Sequence, residues 1–389
     1  MSYVVKKTGC TDCGFCVESV CHMDKEEGCF GCGACVLACP YSAVKIVPHP
    51  GEKKISIKVN GQVFPVFEKI TVRQALETLG KSLLAPCGVG GCFSCAVEIN
   101  GELKPSCTTP VKEGMEVCTD TSFQTPSRLV SGFSGHGVGG VGTPWPLKKY
   151  TGYIEAACFA AGCNFRCPQC QNWTTTYRGK GTPLTPQQAA HMMTNTRKQT
   201  SVDRMAISGG ESTLNRRWLV EYIRELKQLN PDKSARFHVD TNGSILTGDY
   251  IDELVEAGLT DIGIDLKSLE VDTFTRITGV ENRHLALQYH NTAWKAVKYI
   301  RDNHPSLFLG VGFPFNRELI SVEEIERMGE QVQAINPGIQ VTVLDYRPEF
   351  RNHEINRPTY VEMKQVHEIL KDIGLKTVIC QTTFGYIGA

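Results

Sequence analysis

The sequence has no long apolar run and no excess of charge of either sign. No stretch reaches the roughly 18–20 consecutive apolar residues of a membrane span, and the start, MSYVVKKTGCTDCGFC, lacks the apolar core of a signal peptide. Because 41 basic residues balance 41 acidic ones, no basic surplus indicates a nucleic acid partner. Hydrophobic residues make up 41% of the chain, which excludes wholesale disorder. We expect a folded cytoplasmic protein without a membrane or nucleic acid partner; its oligomeric state is unknown.

Cysteine, in contrast, is abundant, with 18 residues in a chain of 389. Fifteen of them fall into four short runs of regular spacing. Only Cys118, Cys158 and Cys380 stand apart, in contexts typical of structural thiols. Disulfide scaffolds belong to short secreted chains, and this chain is long and starts without a signal peptide. The spacing therefore favours metal ligation over disulfides.

Composition divides the chain into four segments, consistent with the roughly two to four domains that its length suggests. Residues 1–50 contain eight of the cysteines. Residues 52–125 combine an alternating apolar pattern, a short helical pattern and a spaced run of four cysteines, with Cys118 beyond it. Residues 126–150 are rich in glycine and proline and are therefore predicted to be a flexible linker. Their GxGxxG spacing does not indicate nucleotide binding, because it lacks the flanking strand and helix of a dinucleotide fingerprint. Residues 151–389 form the largest domain.

From residue 151 onward, strand patterns alternate with helical ones. This alternation predicts parallel strands joined by right-handed crossovers, and six such units favour an α/β fold with a partial (β/α)6 barrel over a full eight-fold barrel. The functional loops of such a fold lie at the carboxyl ends of the strands. The predicted strands are 152–159, 204–208, 235–240, 261–266, 307–313 and 340–344, and the predicted helices are 186–200, 216–229, 248–257, 285–303, 322–335 and 360–373.

The first two cysteine runs lie at the N-terminus. The second has the spacing C-x2-C-x2-C-x3-C-P of bacterial ferredoxins, in which the last cysteine binds the neighbouring cluster. The segment resembles a two-cluster ferredoxin with a small α+β fold, with His22 in place of the usual proline of the first run. A pair of zinc knuckles is the alternative. The resemblance implies one [4Fe–4S] cluster on Cys10, Cys13, Cys16 and Cys39, and another on Cys21, Cys29, Cys32 and Cys35.

The third run has the spacing C-x4-C-x2-C, followed by a fourth cysteine after eleven further residues. This spacing is typical of plant-type [2Fe–2S] sites, and its glycines suit a loop that wraps closely around a cluster. The shortened last interval and the CTTPV ending resemble the [2Fe–2S] domains of respiratory complex I and succinate dehydrogenase, which implies a β-grasp fold. Zinc is again the alternative. The implied ligands are Cys87, Cys92, Cys95 and Cys107.

The fourth run, CNFRCPQC, has the spacing C-x3-C-x2-C and no fourth cysteine nearby. Three ligands on a four-iron cluster leave one iron open to an exogenous ligand. The run follows the first predicted strand of the α/β region, where a barrel carries its active site. It resembles the radical S-adenosylmethionine (SAM) superfamily, and its residues are similar to those of the branch that contains pyruvate formate-lyase-activating enzyme. The resemblance implies a SAM-binding [4Fe–4S] cluster on the catalytic cysteines Cys163, Cys167 and Cys170.

Three further motifs of that branch follow successive predicted strands: SGGE at 208–211, DTNG at 240–243 and DLK at 265–267. Two positions differ from the branch. Gln169 stands where an aromatic residue is usual. The PYH motif reads Asp-Tyr-Arg, so that the histidine contact is either lost or replaced by Arg347. The implied SAM contacts are Gly209, Gly210, Glu211, Asp240 and Lys267. The implied ligands of a monovalent cation are Asp240, Thr241 and Asp265.

The resemblance implies reductive cleavage of SAM to a 5′-deoxyadenosyl radical that abstracts a hydrogen atom from a substrate. The N-terminal clusters would carry electrons to this site from an external reductant, with substrate binding by these clusters as the alternative. The resemblance implies that the substrate is a glycyl radical enzyme. This enzyme would be a separate protein, because this chain has no RVxGY-like segment of its own. Two alternatives stay open: radical modification of a peptide or small molecule, and an electron-transfer module whose barrel merely binds SAM. The intact CxxxCxxC and GGE motifs argue against the second.

Overall fold

The computed structural model of the protein describes residues 2–22, 28–49 and 53–388. These residues divide into two units that alternate along the chain. Within this part of the chain, every helix is too short or too polar to cross a membrane. The first unit consists of Met1–Ser131, Ala160–Asn164 and Asn172–Thr185, and the second of Gly132–Phe159, Phe165–Gln171 and Pro186–Ala389.

The N-terminal part of the first unit is built on two antiparallel strands. Strand β1 (Ser2–Lys7) pairs with β2 (Val44–His49), and between them lie a π-helical turn (Cys16–Val20) and helix α1 (Ala34–Ala38). A segment this small buries too little apolar surface to be stable without a disulfide or a metal centre. Its eight cysteines are free thiols and are the candidate ligands of such a centre.

The rest of the first unit contains a five-stranded mixed sheet with one helix packed on it. Its elements are β3 (Lys54–Val59), β4 (Gln62–Phe67), α2 (Val72–Thr78), β5 (Ala96–Ile99), β6 (Glu102–Pro105) and β7 (Glu116–Cys118). The strand order is β4-β3-β7-β5-β6, with β3 and β7 parallel. Asn60 and Gly61 form the turn between β3 and β4, and both have the positive φ that a two-residue turn of this kind requires. Helix α2 packs on the apolar face of the sheet.

A larger sheet takes up most of the remaining chain. Its strands are β8 (Val130–His136), β9 (Glu155–Ala160), β10 (Arg204–Gly209), β11 (Arg236–Thr241), β12 (Asp261–Asp265), β13 (Phe308–Phe315), β14 (Gln340–Asp345), β15 (Val378–Thr382) and β16 (Gly385–Ile387). They are hydrogen-bonded in simple chain order. From β10 to β15 each neighbouring pair is parallel, as the alternating pattern predicts.

Helices connect these strands, and four of them have the residue bounds predicted from the sequence. Their amphipathic pattern is clear, and side-chain caps mark two of the starts, at Asn215 and Ser321. The helices are α3 (Trp145–Lys148), α4 (Trp173–Thr176), α5 (Pro186–Thr200), α6 (Arg216–Leu229), α7 (Gly248–Ala257), α8 (Val271–Thr278), α9 (Arg283–Asn303), α10 (Val322–Ile335) and α11 (Tyr360–Asp372), with a 3-10 turn at Ser212–Leu214.

The glycine-rich stretch after β8 lies against the inner side of the large sheet. A side chain at Gly142 would strike the backbone of Gly263 in β12, and one at Gly310 in β13 would strike Val141. A glycine in each strand thus leaves room for the approaching backbone. Hydrogen bonds to four other strands hold the stretch: Thr143 to Glu155 of β9 (3.1 Å), Arg204 of β10 to Gly142 (2.5 Å), Gly142 to Asp240 of β11 (3.2 Å) and Gln340 of β14 to Thr143 (2.8 Å).

These contacts require a strongly curved sheet. Six strands laid flat would extend over about 24 Å at their usual spacing. Thr143 nevertheless bonds to side chains of both β9 and β14, the first and the sixth of these strands. The sheet therefore wraps around residues 140–143 as part of a barrel would, and backbone fills its inner space at this level.

Residues 126–150 are accordingly part of the fold and not the flexible linker predicted for them. They contribute strand β8, helix α3 and the inner stretch between the two. Sequence reasoning missed this because glycine and proline lower the local preference for helix and strand, whereas the ordering contacts come from residues about a hundred positions later in the chain. The glycines of the GxGxxG spacing abut Gly152, Thr143 and His238, so protein atoms take the place of a nucleotide phosphate.

Candidate active site and cysteine clusters

The four cysteines of the third run, here called the Cys87 group, lie together and are buried. The Cys92 thiol donates to the Cys87 sulfur over 3.2 Å. Hydrogen bonds from Cys107 and Cys92 hold the pKa of the Cys87 thiol well below its ordinary value, and a hydrogen bond from Cys107 also lowers the pKa of Cys95. Four converging sulfur donors in a buried loop fit an iron–sulfur cluster.

The eight N-terminal cysteines line two cavities. The last cysteine of each run faces the other run, which is the exchange that the ferredoxin spacing predicts. Cys10 and Cys13 are exposed, so the first cavity opens to solvent. The first cavity, of about 160 Å³, is lined by the Cys10 group: Cys10, Cys13, Cys16 and Cys39. The second, of about 170 Å³, is lined by the Cys21 group, Cys21, Cys29, Cys32 and Cys35, and also by Cys16.

The fourth run, here the Cys163 group of Cys163, Cys167 and Cys170, follows β9. Burial raises the pKa of the Cys167 thiol to about 12, and the nearby charge of Lys267 opposes this rise. The buried Lys267 ammonium lies 2.9 Å from the Asp265 carboxylate and 2.9 Å from the Tyr346 hydroxyl. The carboxyl ends of β12 and β14 thus bring a cation, a carboxylate and a phenol close to Cys167. Such an arrangement can bind an anionic ligand group.

Tyr346 is a site residue that sequence reasoning missed. The sequence placed the candidate contact at Arg347, because that residue stands at the histidine position of the PYH motif. The structure instead has the buried Tyr346 accept a hydrogen bond from Lys267. The signal was present in the motif itself, because tyrosine is also the second residue of PYH.

Glu211 is fully buried, and its carboxylate joins two strand ends. It accepts hydrogen bonds from the Thr213 N–H (2.9 Å), the Thr241 hydroxyl (2.6 Å) and the Asn242 N–H (2.7 Å). The carboxylate of the GGE motif therefore connects the end of β10 to the end of β11. Gly209 and Gly210 before it are only half-buried, and they form the more exposed part of the motif.

The side chains of the three predicted cation ligands do not converge. Asp240 accepts a hydrogen bond from the Gly142 N–H on the inner side of the sheet, whereas Thr241 donates to Glu211. Successive side chains of a strand point to opposite faces, so the Asp240 and Thr241 side chains cannot bind one cation together. Asp265 pairs with the lysine described above. The Asp240 carboxylate also lies 3.0 Å from the His238 imidazole of its own strand, so the partners of these side chains among the described residues are protein groups, and the cation site stays a prediction.

Gln169 lies buried in the loop between Cys167 and Cys170, where the branch usually has an aromatic residue. Its amide nitrogen donates to the Ile277 carbonyl of α8 over 2.8 Å. Its side-chain oxygen has no hydrogen-bond partner among the described residues. The loop therefore carries a buried acceptor at this position.

Two known families match the chain. The radical SAM superfamily matches residues 158–324, and the 2Fe-2S iron-sulfur cluster binding domain matches residues 52–122. The first range covers the Cys163 group and the strand ends from β10 to β12, and the second covers the whole Cys87 group. The chain therefore contains a radical SAM superfamily domain and a 2Fe–2S binding domain.

Curated relatives include a probable GTP 3′,8-cyclase and a molybdenum cofactor biosynthesis protein. The probable GTP 3′,8-cyclase of Thermococcus kodakarensis is 25% identical over 55% of this chain and 64% of its own length. The molybdenum cofactor biosynthesis protein moc-5 of Caenorhabditis elegans is 23% identical over 54% of this chain and 32% of its own. The chain thus spans less than two thirds of the length of these relatives. They do not support the expected branch of pyruvate formate-lyase-activating enzyme.

Solved structures that match this chain include two proteins of low identity. SuiB of Streptococcus suis, bound to its precursor peptide SuiA, is 15% identical, with 58% of this chain and 48% of that chain covered and a TM-score of 0.44. The FeFe-hydrogenase maturase HydG from Carboxydothermus hydrogenoformans is 15% identical, with 59% and 54% covered and a TM-score of 0.42.

Proposed function

We propose that this radical SAM enzyme cleaves SAM reductively and receives the electron through iron–sulfur centres held by its own cysteines. The number of sulfur ligands in each group carries the proposal. The Cys10, Cys21 and Cys87 groups each contain four cysteines, enough to saturate a [4Fe–4S] or [2Fe–2S] cluster. The Cys163 group offers three and leaves one iron site for SAM. Saturated clusters have no open iron for a substrate, which suits them to electron transfer.

The residues near the Cys163 group fit a bound SAM molecule. When bound, a [4Fe–4S] cluster on these cysteines supplies the electron that splits the S–C5′ bond of SAM. Lys267 would pair with the SAM carboxylate, and Tyr346 would hold the Lys267 side chain in position through its hydrogen bond to the ammonium group. The backbone of Gly209 and Gly210 would face the SAM amino group, with Glu211 fixing the strand end that carries them.

As substrate we propose the backbone glycine of a separate glycyl radical enzyme. The DTNG and DLK motifs at the ends of β11 and β12 support this class, since they match the activating enzymes of that branch. The curated relatives favour a second candidate, a purine nucleotide, because GTP 3′,8-cyclases are similar to more than half of this chain. Both candidates require the same SAM cleavage and differ only in what the radical attacks.

The first experiment tests SAM cleavage. The protein is reconstituted anaerobically with iron and sulfide, reduced with dithionite, supplied with SAM and assayed for 5′-deoxyadenosine. We expect Cys167→Ala to abolish the product while the N-terminal centres still reduce, because it removes one of three SAM-cluster ligands. Cys118→Ala, at a cysteine outside the four runs, is the matched control and should retain cleavage. Full cleavage by Cys167→Ala would overturn the assignment of the site.

A second experiment separates the two substrate candidates. The wild-type enzyme is reduced with SAM in the presence of either a glycyl radical enzyme or GTP. A glycyl radical signal in electron paramagnetic resonance (EPR) spectra supports the first candidate, whereas consumption of GTP supports the second. If 5′-deoxyadenosine formed without a glycyl radical signal and without consumption of GTP, both candidates would be contradicted. The substrate would then be a peptide or another small molecule.

A further inference from the structure

Gly162, the residue before Cys163, lies directly against the Cys87 group. A Cβ atom added at Gly162 would lie 2.8 Å from the Cβ of Cys87 and 3.1 Å from that of Cys92. Its φ of +88° is a second reason for glycine at this position. Consecutive Cα atoms are about 3.8 Å apart. One peptide unit and one van der Waals contact therefore separate a ligand of the Cys163 group from two ligands of the Cys87 group.

Backbone hydrogen bonds hold the two loops together. The Ala161 N–H donates to the Leu129 carbonyl (3.0 Å), and the Leu129 N–H donates to the Gly91 carbonyl (2.9 Å). The Gly162 N–H donates to the Thr176 carbonyl (2.9 Å). Gly91 also lacks room for a side chain, because its Cβ would lie 2.8 Å from that of Ala161. The close approach is therefore built into the backbone of both loops.

The loop of the Cys87 group also meets the residue after Cys21. A Cβ at Gly179 would lie 2.5 Å from the carbonyl oxygen of Val89, which belongs to that loop, and 3.0 Å from the imidazole of His22. The Gly179 N–H donates to the Ser19 carbonyl over 2.9 Å. Because His22 follows Cys21 directly, the Cys21 group and the Cys87 loop meet at Gly179.

We propose that electrons cross the protein in one order, from the Cys21 group to the Cys87 group and then to the Cys163 group. The inference rests on the proposed function and deepens it. The Cys10 group, of which Cys10 and Cys13 are exposed, is the outer end, where an external one-electron carrier of the flavodoxin or ferredoxin class is oxidised. For each turnover the carrier loses one electron, and SAM gains it as the S–C5′ bond breaks into methionine and a 5′-deoxyadenosyl radical. The Cys87 group is then the last step before SAM.

Removal of the Cys87 centre tests the order. In Cys92→Ala we expect 5′-deoxyadenosine formation driven by reduced flavodoxin to fall at least about tenfold. EPR spectra should show the N-terminal [4Fe–4S] signals persisting, because their electrons no longer reach SAM. Formation driven by dithionite, a small reductant that reaches the SAM site directly, should fall much less. Flavodoxin-driven cleavage at the wild-type rate would overturn the order, whereas failure of dithionite-driven cleavage in the wild-type enzyme would overturn the proposed function instead.

The Gly162 contact offers a test that leaves every cysteine in place. Gly162→Ala should slow the decay of the reduced [2Fe–2S] EPR signal after SAM is added, because the added methyl group pushes the two loops apart. Gly61→Ala is the matched control, since Gly61 has a nearly equal φ of +85° but no atom within 4 Å of an added Cβ. Equal decay in the two variants, at wild-type iron content, would contradict a role for this contact in electron transfer.

Discussion

At the scale of single residues, the arrangement around Lys267 depends on Tyr346. The phenol accepts a hydrogen bond from the buried ammonium, whose other partner is Asp265. A hydrogen bond to a charged group contributes about 1.5 kcal/mol or more. We therefore expect Tyr346→Phe to weaken SAM binding about tenfold, measured by anaerobic titration calorimetry of the reconstituted enzyme.

The control for this prediction is Tyr360→Phe, at an exposed tyrosine that begins α11. It should bind SAM as the wild type does. An unchanged SAM affinity in Tyr346→Phe, with its iron content intact, would remove Tyr346 from the binding site. The pair of variants thus separates the hydrogen bond to Lys267 from the general loss of a hydroxyl group.

At the scale of elements, the inner stretch requires glycine at position 142. A Cβ there would lie 2.5 Å from the backbone nitrogen of Gly263 and 2.5 Å from the imidazole of His238. Because neither can move without shifting a strand, we expect Gly142→Ala to lower the free energy of unfolding by about 3 kcal/mol. Denaturant unfolding followed by circular dichroism measures the change.

Gly338→Ala is the matched control, because Gly338 is exposed and an added Cβ would meet only the flexible side chain of Asn336. Its effect should stay within about 0.5 kcal/mol. If both variants unfolded at the same denaturant concentration, the inner stretch would be able to move away from the sheet, and its contacts would not require the sheet to curve.

These elements also show what a sequence can predict. Helices such as α6 and α10 were predicted to the residue because their apolar spacing and caps are local signals. The inner stretch was missed because its contacts are long-range and its glycines resemble those of a linker. Glu211 was predicted to bind a ligand, but a motif does not reveal that Thr213, Thr241 and Asn242 donate hydrogen bonds to its carboxylate. Spacing predicts which cysteines group together, whereas the approach of Gly162 to the Cys87 group has no sequence signal.

At the scale of the whole molecule, the four cysteine groups predict the metal content. Three [4Fe–4S] clusters and one [2Fe–2S] cluster require about 14 iron atoms per chain. A variant with Cys163, Cys167 and Cys170 all changed to Ala should retain about ten, because the other groups have complete ligand sets of their own. Iron and acid-labile sulfide are measured after anaerobic reconstitution, with Cys118→Ala as control. Zinc as the main metal of the protein purified without oxygen would contradict the cluster assignment, and a loss well beyond four irons in the variant would show that the groups do not assemble independently.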